Sequence, residues 1–223
     1  MTKAPGPQIV AVIFSRSDLQ IAQRMRNPPD LFELRLDALW RRADEAQRTV
    51  GKLRAPLIIT ARHPREGGAN ELSLRQRRDL LLQFLPQAAY LDIELRSARA
   101  LAPLLKQART RNIRTILSVH DFTKTPARAR LHSMARAAQS SGADIFKIAT
   151  RTDTEVELHR LLDLFELQDA KMKIAVMGMG RLGRSSRVES ARRGSALNYF
   201  HLGEPRAAGQ LSLPQMRRAL KQI

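Results

Sequence analysis

The sequence contains no cysteine, which excludes both a disulfide framework and a thiolate zinc site. It also lacks any apolar run of the roughly 18 residues that a membrane-spanning helix needs. The apolar run at residues 9–14 is too short for the core of a signal peptide, and no small-residue cleavage site follows it. We therefore expect a cytoplasmic protein with no membrane partner.

Acidic and aromatic residues are scarce. The chain carries 21 Asp and Glu against 39 Lys and Arg, a formal charge of +18, and only 4% aromatic residues. Such a charge is compatible with nucleic-acid binding. However, no stretch interleaves aromatic with basic residues, as a base-stacking surface would. We therefore expect no nucleic-acid partner, and we assign part of the arginine excess to a site for an anionic small molecule.

Short apolar segments alternate with helical patterns along the whole chain. The candidate strands cover residues 9–15, 31–36, 56–62, 90–95, 114–120, 145–149, 173–177 and 196–201. With 223 residues and 43% hydrophobic content, the chain can form one sizeable core. The alternation predicts a single-domain (β/α)8 TIM barrel over residues 1–223. A doubly wound sheet is the alternative, but residues 15–18 contain no glycine-rich dinucleotide loop.

Charged residues interrupt two of the candidate strands. Glu33 and Arg35 share one face of the second strand, and Asp92 and Glu94 share one face of the fourth. A buried charge needs a partner or a function, because removing it from water costs several kcal/mol. Interior ion pairing and a functional role explain equally well why Asp92 and Glu94 lie on an interior face. Glu33 and Arg35 lie near the end of their strand where barrel active sites form.

His120 and Lys147 lie in consecutive candidate strands. A strand–helix–strand unit places such strands side by side, about 5 Å apart. An interior amine beside an imidazole suits carbonyl chemistry through a Schiff base. The alternative is that Lys147 only pairs with Asp92 or Glu94, while His120 is an ordinary residue of the barrel rim.

Two further patterns bear on ligands. Residues 178–183 match G-x-G-x-x-G but follow the seventh strand, so a dinucleotide site is disfavoured. Such a loop can still bind an anion through backbone N–H groups, with Arg187 supplying a guanidinium. No two histidines have the i, i+4 spacing with an intervening carboxylate, and we therefore predict no metal.

These segments together resemble type I 3-dehydroquinate dehydratase over almost the whole chain. The landmarks, in order, are Glu33-Leu34-Arg35-Leu36-Asp37, Arg62 with Glu66-Gly67-Gly68, Leu91-Asp92-Ile93-Glu94, His120-Asp121-Phe122, Lys124-Thr125-Pro126, Asp144-Ile145-Phe146-Lys147-Ile148, Met177-Gly178-Met179, Ser186-Arg187, Gly194-Ser195 and Ala208-Gly209-Gln210. Each landmark alone is weak, whereas their joint order and spacing are specific.

The resemblance implies syn elimination of water from 3-dehydroquinate to 3-dehydroshikimate, in the shikimate pathway of aromatic amino acid biosynthesis. Lys147 would form an imine with the C3 ketone, His120 would remove the C2 proton and protonate the leaving hydroxyl, and Glu66 would orient His120. No metal or organic cofactor is implied, because the lysine supplies the electron sink. The resemblance also implies a homodimer.

It further implies a set of substrate contacts: Glu33, Arg35 and Arg62 for the hydroxyls, Arg187 and Gln210 for the carboxylate, and Met177, Met179 and Tyr199 as the pocket lining. Two positions depart from the family pattern. Arg206 precedes Ala207 where the family usually has Ser or Thr before Ala-Pro, and Tyr199 replaces the usual Phe. Arg206 either adds a second contact to the carboxylate or points to solvent.

Two other functions fit the same residues. The chain could be another Schiff-base barrel, such as a class I aldolase, which an aldol-cleavage assay would detect. It could instead be a catalytically impaired barrel that binds an anionic small molecule. Saturable substrate binding without formation of the enone product would identify that case.

Overall fold

Parallel strands form one continuous sheet in the described part of the chain, which covers residues 7–169, 171–205 and 209–221 of this computed structural model. The strands are β1 (Gln8–Ile13), β2 (Leu31–Arg35), β3 (Leu57–Thr60), β4 (Ala88–Glu94), β5 (Arg114–Asp121), β6 (Ile145–Arg151), β7 (Lys173–Met179), β8 (Leu197–His201) and the short β9 (Leu211–Ser212). Their order in the sheet is β7-β6-β5-β4-β3-β2-β1-β8-β9.

The sheet curls so that its seventh and eighth strands meet. The Ala196 N–H donates to the Ile174 carbonyl at 2.9 Å, and the Val176 N–H donates to Ser195 Oγ at 3.3 Å. These bonds join β7 to the start of β8. The predicted single-domain (β/α)8 barrel is therefore confirmed, with β9 as an additional strand beside β8 that the sequence did not indicate.

Helices connect the strands on the outside of the barrel. They are α1 (Arg16–Arg24), α2 (Leu36–Leu39), α3 (Ala43–Val50), α4 (Leu74–Phe84), α5 (Ala102–Thr110), α6 (Arg128–Ser140), α7 (Glu155–Leu162), α8 (Gly183–Arg192) and α9 (Leu213–Lys221). Ser15, Ser73 and Thr154 begin α1, α4 and α7 with reciprocal capping boxes. Within the described residues, no helix is long and apolar enough to cross a membrane.

The second strand ends earlier than the sequence predicts. Leu36 begins α2 instead of ending β2, and a 3-10 turn at Trp40–Arg42 separates α2 from α3. Asp37 provides the reason. Its fully buried carboxylate accepts the N–H groups of Arg62 and Ala69, at 3.0 and 2.9 Å, which draws the chain away from the sheet toward the loop after β3.

Each strand alternates between the helix-facing core and the barrel interior. Phe32 and Leu34 of β2 pack in the core beneath the helices, whereas Leu31 belongs to a second apolar cluster inside the barrel. The next interior position on β2 is Glu33. On β6, Phe146 and Ile148 likewise face the helices, so that Lys147 points inward. The alternation therefore aims the charged strand residues into the barrel, as predicted.

Candidate functional site

A cavity of about 250 Å³ opens at the carboxyl ends of the strands. Its lining includes the following residues that the sequence singles out: Glu33, Arg35, Arg62, Glu66, His120, Lys147, Met177, Met179, Arg187, Tyr199 and Gln210. Arg206 lies outside the described residues. Eleven of the twelve expected site residues thus meet in one cavity, although they come from widely separated parts of the chain.

Lys147 lies at the base of this cavity. Its side chain is buried, with Nζ 2.8 Å from Asp92 Oδ2 and 3.1 Å from Glu33 Oε1. Nζ also lies 4.2 Å from the centre of the Tyr199 ring, a favourable cation–π geometry. The sequence had suggested Asp92 or Glu94 as partners. The structure shows Asp92 as the partner, whereas Glu94 pairs with Arg62 and with Arg77.

His120 lies on β5, next to the strand that carries Lys147. Glu66 Oε2 accepts the backbone N–H of His120 at 2.9 Å and lies 3.3 Å from its Nδ1. Burial lowers the pKa of His120 well below 6.5, and the charges of Arg62 and Lys147 lower it further. The neutral imidazole is therefore available as a base. If its Nδ1–H is donated to Glu66, Nε2 keeps a free lone pair.

Glu66 comes from the loop after β3, in a 3-10 turn at Pro64–Glu66. Burial raises the pKa of Glu66 from 4.5 to about 7, and the nearby charge of Glu94 raises it as well. Its position depends on the turn that follows. Gly67 has φ of +83°, and a Cβ there would lie 2.8 Å from the ring of Phe122. A glycine is thus required for Phe122 to pack against the loop that carries Glu66.

At the base of the cavity, paired charges form a buried network that we call the ionic layer, comprising Glu33, Arg62, Arg77, Asp92, Glu94 and Lys147. Arg62 contacts Asp92 at 2.9 Å, Glu94 at 3.1 Å and Glu33 at 3.8 Å. Arg77 reaches in from α4 and donates to Glu94 at 2.8 Å. Because the ionic layer balances cations against carboxylates in equal number, its net formal charge is zero. This balance offsets part of the desolvation cost.

The cavity lining includes a further cation suited to an anion. Arg187 on α8 is buried, and among the described residues none hydrogen-bonds to its Nε. Burial lowers its pKa from 12.5 to about 10. Because a buried guanidinium with an available donor gains strongly from an anionic partner, this is the natural place for a carboxylate. Gln210 lines the same cavity.

Arg35 is held at the rim. Its guanidinium makes a two-pronged contact with Asp37, at 2.9 and 2.8 Å, and donates to the Gly67 carbonyl at 3.0 Å. Although burial opposes it, Arg35 holds the pKa of Asp37 below its usual 3.8. The same carboxylate thus orients Arg35 and anchors the loop that carries Glu66.

Tyr199, Met177 and Met179 form a buried wall of the cavity. Among the described residues none bonds to the Tyr199 hydroxyl, and burial raises its pKa well above 10, as do the charges of Glu33 and Asp92. The sequence did not assign roles to Val12, Phe14, Phe122 and Ala149, which also line the cavity. Strand alternation could have identified Val12 and Ala149, because they lie two residues after the interior positions Val10 and Lys147.

The chain is similar to known proteins in both sequence and fold. Residues 10–223 match the family model of type I 3-dehydroquinase. A 3-dehydroquinate dehydratase of Thermodesulfovibrio yellowstonii is 32% identical over 214 residues, which cover 94% of this chain and 92% of that protein. A crystal structure of 3-dehydroquinate dehydratase from Geobacillus kaustophilus HTA426 is similar, with a TM-score of 0.87 and 26% identity over 97% of this chain and 90% of that one. A structure of the Enterococcus faecalis enzyme gives a TM-score of 0.84 and 30% identity over 99% and 95% of the two chains.

Proposed function

The chain belongs to the type I 3-dehydroquinase family, and on this premise we propose that it is a 3-dehydroquinate dehydratase that acts through an imine on Lys147. The reaction is a hydro-lyase step that converts 3-dehydroquinate to 3-dehydroshikimate. One observation carries the proposal. Lys147 is a buried amine that opens onto a cavity, and a neutral histidine held by Glu66 stands on the neighbouring strand.

Each step has a residue suited to it. The Lys147 amine attacks the C3 ketone, and water leaves to form a protonated imine. His120 then removes a proton from C2, and the imine nitrogen accommodates the electron pair. The same imidazole, now protonated, donates to the C1 hydroxyl as that group leaves. Hydrolysis releases the product and restores the amine. No metal or organic cofactor takes part in this scheme.

The remaining contacts are proposals based on the position of each side chain. Arg187, with Gln210, binds the substrate carboxylate, because its buried guanidinium has a donor to offer. Glu33 and Arg35 contact the hydroxyls. Arg62 already pairs with three carboxylates. Its proposed contact with a substrate hydroxyl is made in addition to these pairs. Met177, Met179 and Tyr199 pack against the ring, and Arg206 remains a prediction.

Turnover by purified protein in the presence of a metal chelator tests the proposal. Formation of the conjugated enone can be followed by its ultraviolet absorbance. We expect His120→Ala to reduce kcat by about 10²–10⁴-fold, the usual contribution of a general base, while imine formation remains. The matched control is His159→Ala, because His159 is an exposed histidine on α7. A near-normal kcat in His120→Ala would contradict the role of His120.

Location and assembly are separate proposals. We propose a cytoplasmic homodimer, following the family resemblance. Fractionation of cells tests the location, and light scattering on the full chain tests the assembly. A class I aldolase activity is the competing enzyme function; cleavage of aldol substrates faster than dehydration of 3-dehydroquinate would favour it.

A further inference from the structure

Two carboxylates contact the reactive amine, and their surroundings differ. Asp92 is fully engaged: Oδ2 accepts from Lys147 at 2.8 Å and from Arg62 at 2.9 Å, while Oδ1 accepts from Ser118 at 2.6 Å and from Arg62 at 3.2 Å. Burial favours its neutral form, but Arg62 and Lys147 outweigh burial and hold the pKa of Asp92 well below 3.8. Adding a proton to Asp92 would disrupt its two-pronged pair with Arg62.

Glu33 has a different arrangement. Its Oε1 accepts from Lys147 at 3.1 Å and from Thr60 Oγ1 at 3.0 Å. Arg62 Nη2 is 3.8 Å away, beyond hydrogen-bonding distance. All the hydrogen bonds that the described residues make to the Glu33 carboxylate fall on Oε1, and the side chain lines the cavity. Oε2 can therefore take up a proton without displacing a donor.

Formation of the imine requires a group that carries protons from the lysine nitrogen to the carbonyl oxygen. The reaction of an ammonium with a ketone gives a protonated imine and water without any net uptake of protons. The nitrogen keeps one of its three protons, and the other two leave with the carbonyl oxygen. A group that touches the nitrogen and also faces the cavity can transfer both. Between the two carboxylates at Lys147, only Glu33 combines a contact to Nζ with an uncommitted oxygen.

We propose that Glu33 is a catalytic residue that carries protons from the nitrogen of Lys147 to the departing carbonyl oxygen of the substrate. In the first half, the Glu33 carboxylate takes a proton from the ammonium, the nitrogen lone pair forms the C–N bond, and the carbonyl oxygen receives that proton. In the second half, Glu33 takes another proton from the nitrogen and passes it to the hydroxyl, and the C–O bond breaks to release water. This assignment rests on the proposed function.

The role differs from a mere contact with a substrate hydroxyl. A hydroxyl contact contributes to binding and changes the half-saturating substrate concentration. A proton carrier changes the rate at saturation. The two can be separated in a His120→Ala background, because the later proton removal at C2 is blocked there and only imine formation remains to be measured.

The experiment measures single-turnover imine formation, quenched with borohydride and quantified by intact mass, over a range of 3-dehydroquinate concentrations. We expect Glu33→Gln to lower the plateau rate by about 100-fold, within the range of general acid–base catalysis. Glu33→Asp keeps the charge balance of the ionic layer, so it remains informative if the Gln variant does not fold. Its carboxylate is withdrawn by one methylene, and we expect a smaller but clear loss of the plateau rate.

The matched control is Thr60→Val, which removes the other hydrogen bond to Oε1 and leaves the carboxylate in place. We expect its plateau rate to stay within about threefold of the His120→Ala parent, since an aligned carboxylate is still present. An unchanged plateau in the Glu33 variants, with only a higher half-saturating concentration, would overturn the proposal. If the His120→Ala parent itself forms no adduct, the proposed imine mechanism fails, and this outcome is distinguishable from failure of Glu33 alone.

Discussion

Two layers of the barrel interior, separated by only two residues along each strand, have opposite chemistry. The lower layer is apolar and contains Val10, Leu31, Ile58, Tyr90, Ile116, Ile145, Ala175 and Leu197. Two residues farther along β2, β3, β4, β5 and β6, the positions are Glu33, Thr60, Asp92, Ser118 and Lys147. The same strands therefore supply an apolar layer below and polar and charged side chains above.

The lower layer contributes mainly to stability, whereas the upper layer surrounds the reactive amine of Lys147. The lower layer removes apolar surface from water and excludes water from beneath the site. The ionic layer is a poor way to gain stability, because desolvation can cancel the attraction between its charges. It does fix charges and hydrogen-bond acceptors around Lys147. Substitutions in the ionic layer should therefore lower kcat, whereas substitutions in the lower layer should leave kcat nearly unchanged.

The largest effect is expected for Lys147→Met, which retains most of the side-chain length and removes the amine. We expect kcat to fall by at least about 10⁴-fold, because the reacting nucleophile is lost. Glu33 and Asp92 also lose a shared cation, so that the free energy of unfolding should fall by about 3–5 kcal/mol. Steady-state assays and denaturant titration measure the two quantities. Turnover within tenfold of the unsubstituted chain would refute the assigned nucleophile.

A substitution in the lower layer should reduce stability without reducing kcat. Ile116 is fully buried beneath Ser118, and Ile116→Ala should lower the free energy of unfolding by about 2–5 kcal/mol through lost burial and a cavity. We expect kcat to remain within about twofold. Val156→Ala on the exposed face of α7 is the control, with a change below about 0.5 kcal/mol. A large loss of kcat without a loss of stability would show that the layers are not separable.

A smaller effect, a change in the free energy of unfolding with pH, is expected from Glu66, which lies next to the ionic layer. The folded chain holds the Glu66 proton up to a pKa of about 7, whereas the unfolded chain releases it near 4.5. The folded state therefore binds more protons in this window, and stability falls as the pH rises from about 4.5 to 7. The contribution is at most about 3 kcal/mol.

Glu66→Gln should remove this slope, because an amide does not titrate. Denaturant titrations between pH 4.5 and 8 measure it, with Glu71→Gln as the control for loss of an exposed carboxylate. We expect the difference in unfolding free energy between Glu66→Gln and the unsubstituted chain to shift in favour of the variant with rising pH. A difference that stays constant over this range would contradict a raised pKa for Glu66.

Local patterns predicted the interior direction of the charged side chains, because side chains alternate strictly along a strand. Glu33, Asp92 and Lys147 all point inward as this period requires. Alternation left open whether Asp92 or Glu94 pairs with Lys147, since the pairing depends on the stagger of strands across the barrel. The structure shows the pair with Asp92, and it adds Glu33, which the sequence did not indicate as a partner of Lys147.

Arg77 illustrates a second limit. An arginine in an amphipathic helix is typical of a solvent-facing position, yet Arg77 turns inward to bind Glu94. The early end of β2 was missed for a similar reason, because the bonds that Asp37 accepts come from residues 62 and 69 in a distant loop. The family resemblance named eleven residues that line the cavity, whereas the contacts that hold them in place required the structure.

We propose that the ammonium of Lys147, which lies above the apolar layer and between two carboxylates, forms an imine with the substrate ketone. Peptide mapping after reaction with 3-dehydroquinate and borohydride tests this claim most directly. We predict one reduced adduct per chain, located on the peptide that contains Lys147, with parallel loss of activity. Recovery of unmodified, active protein, or an adduct on another lysine, would contradict it.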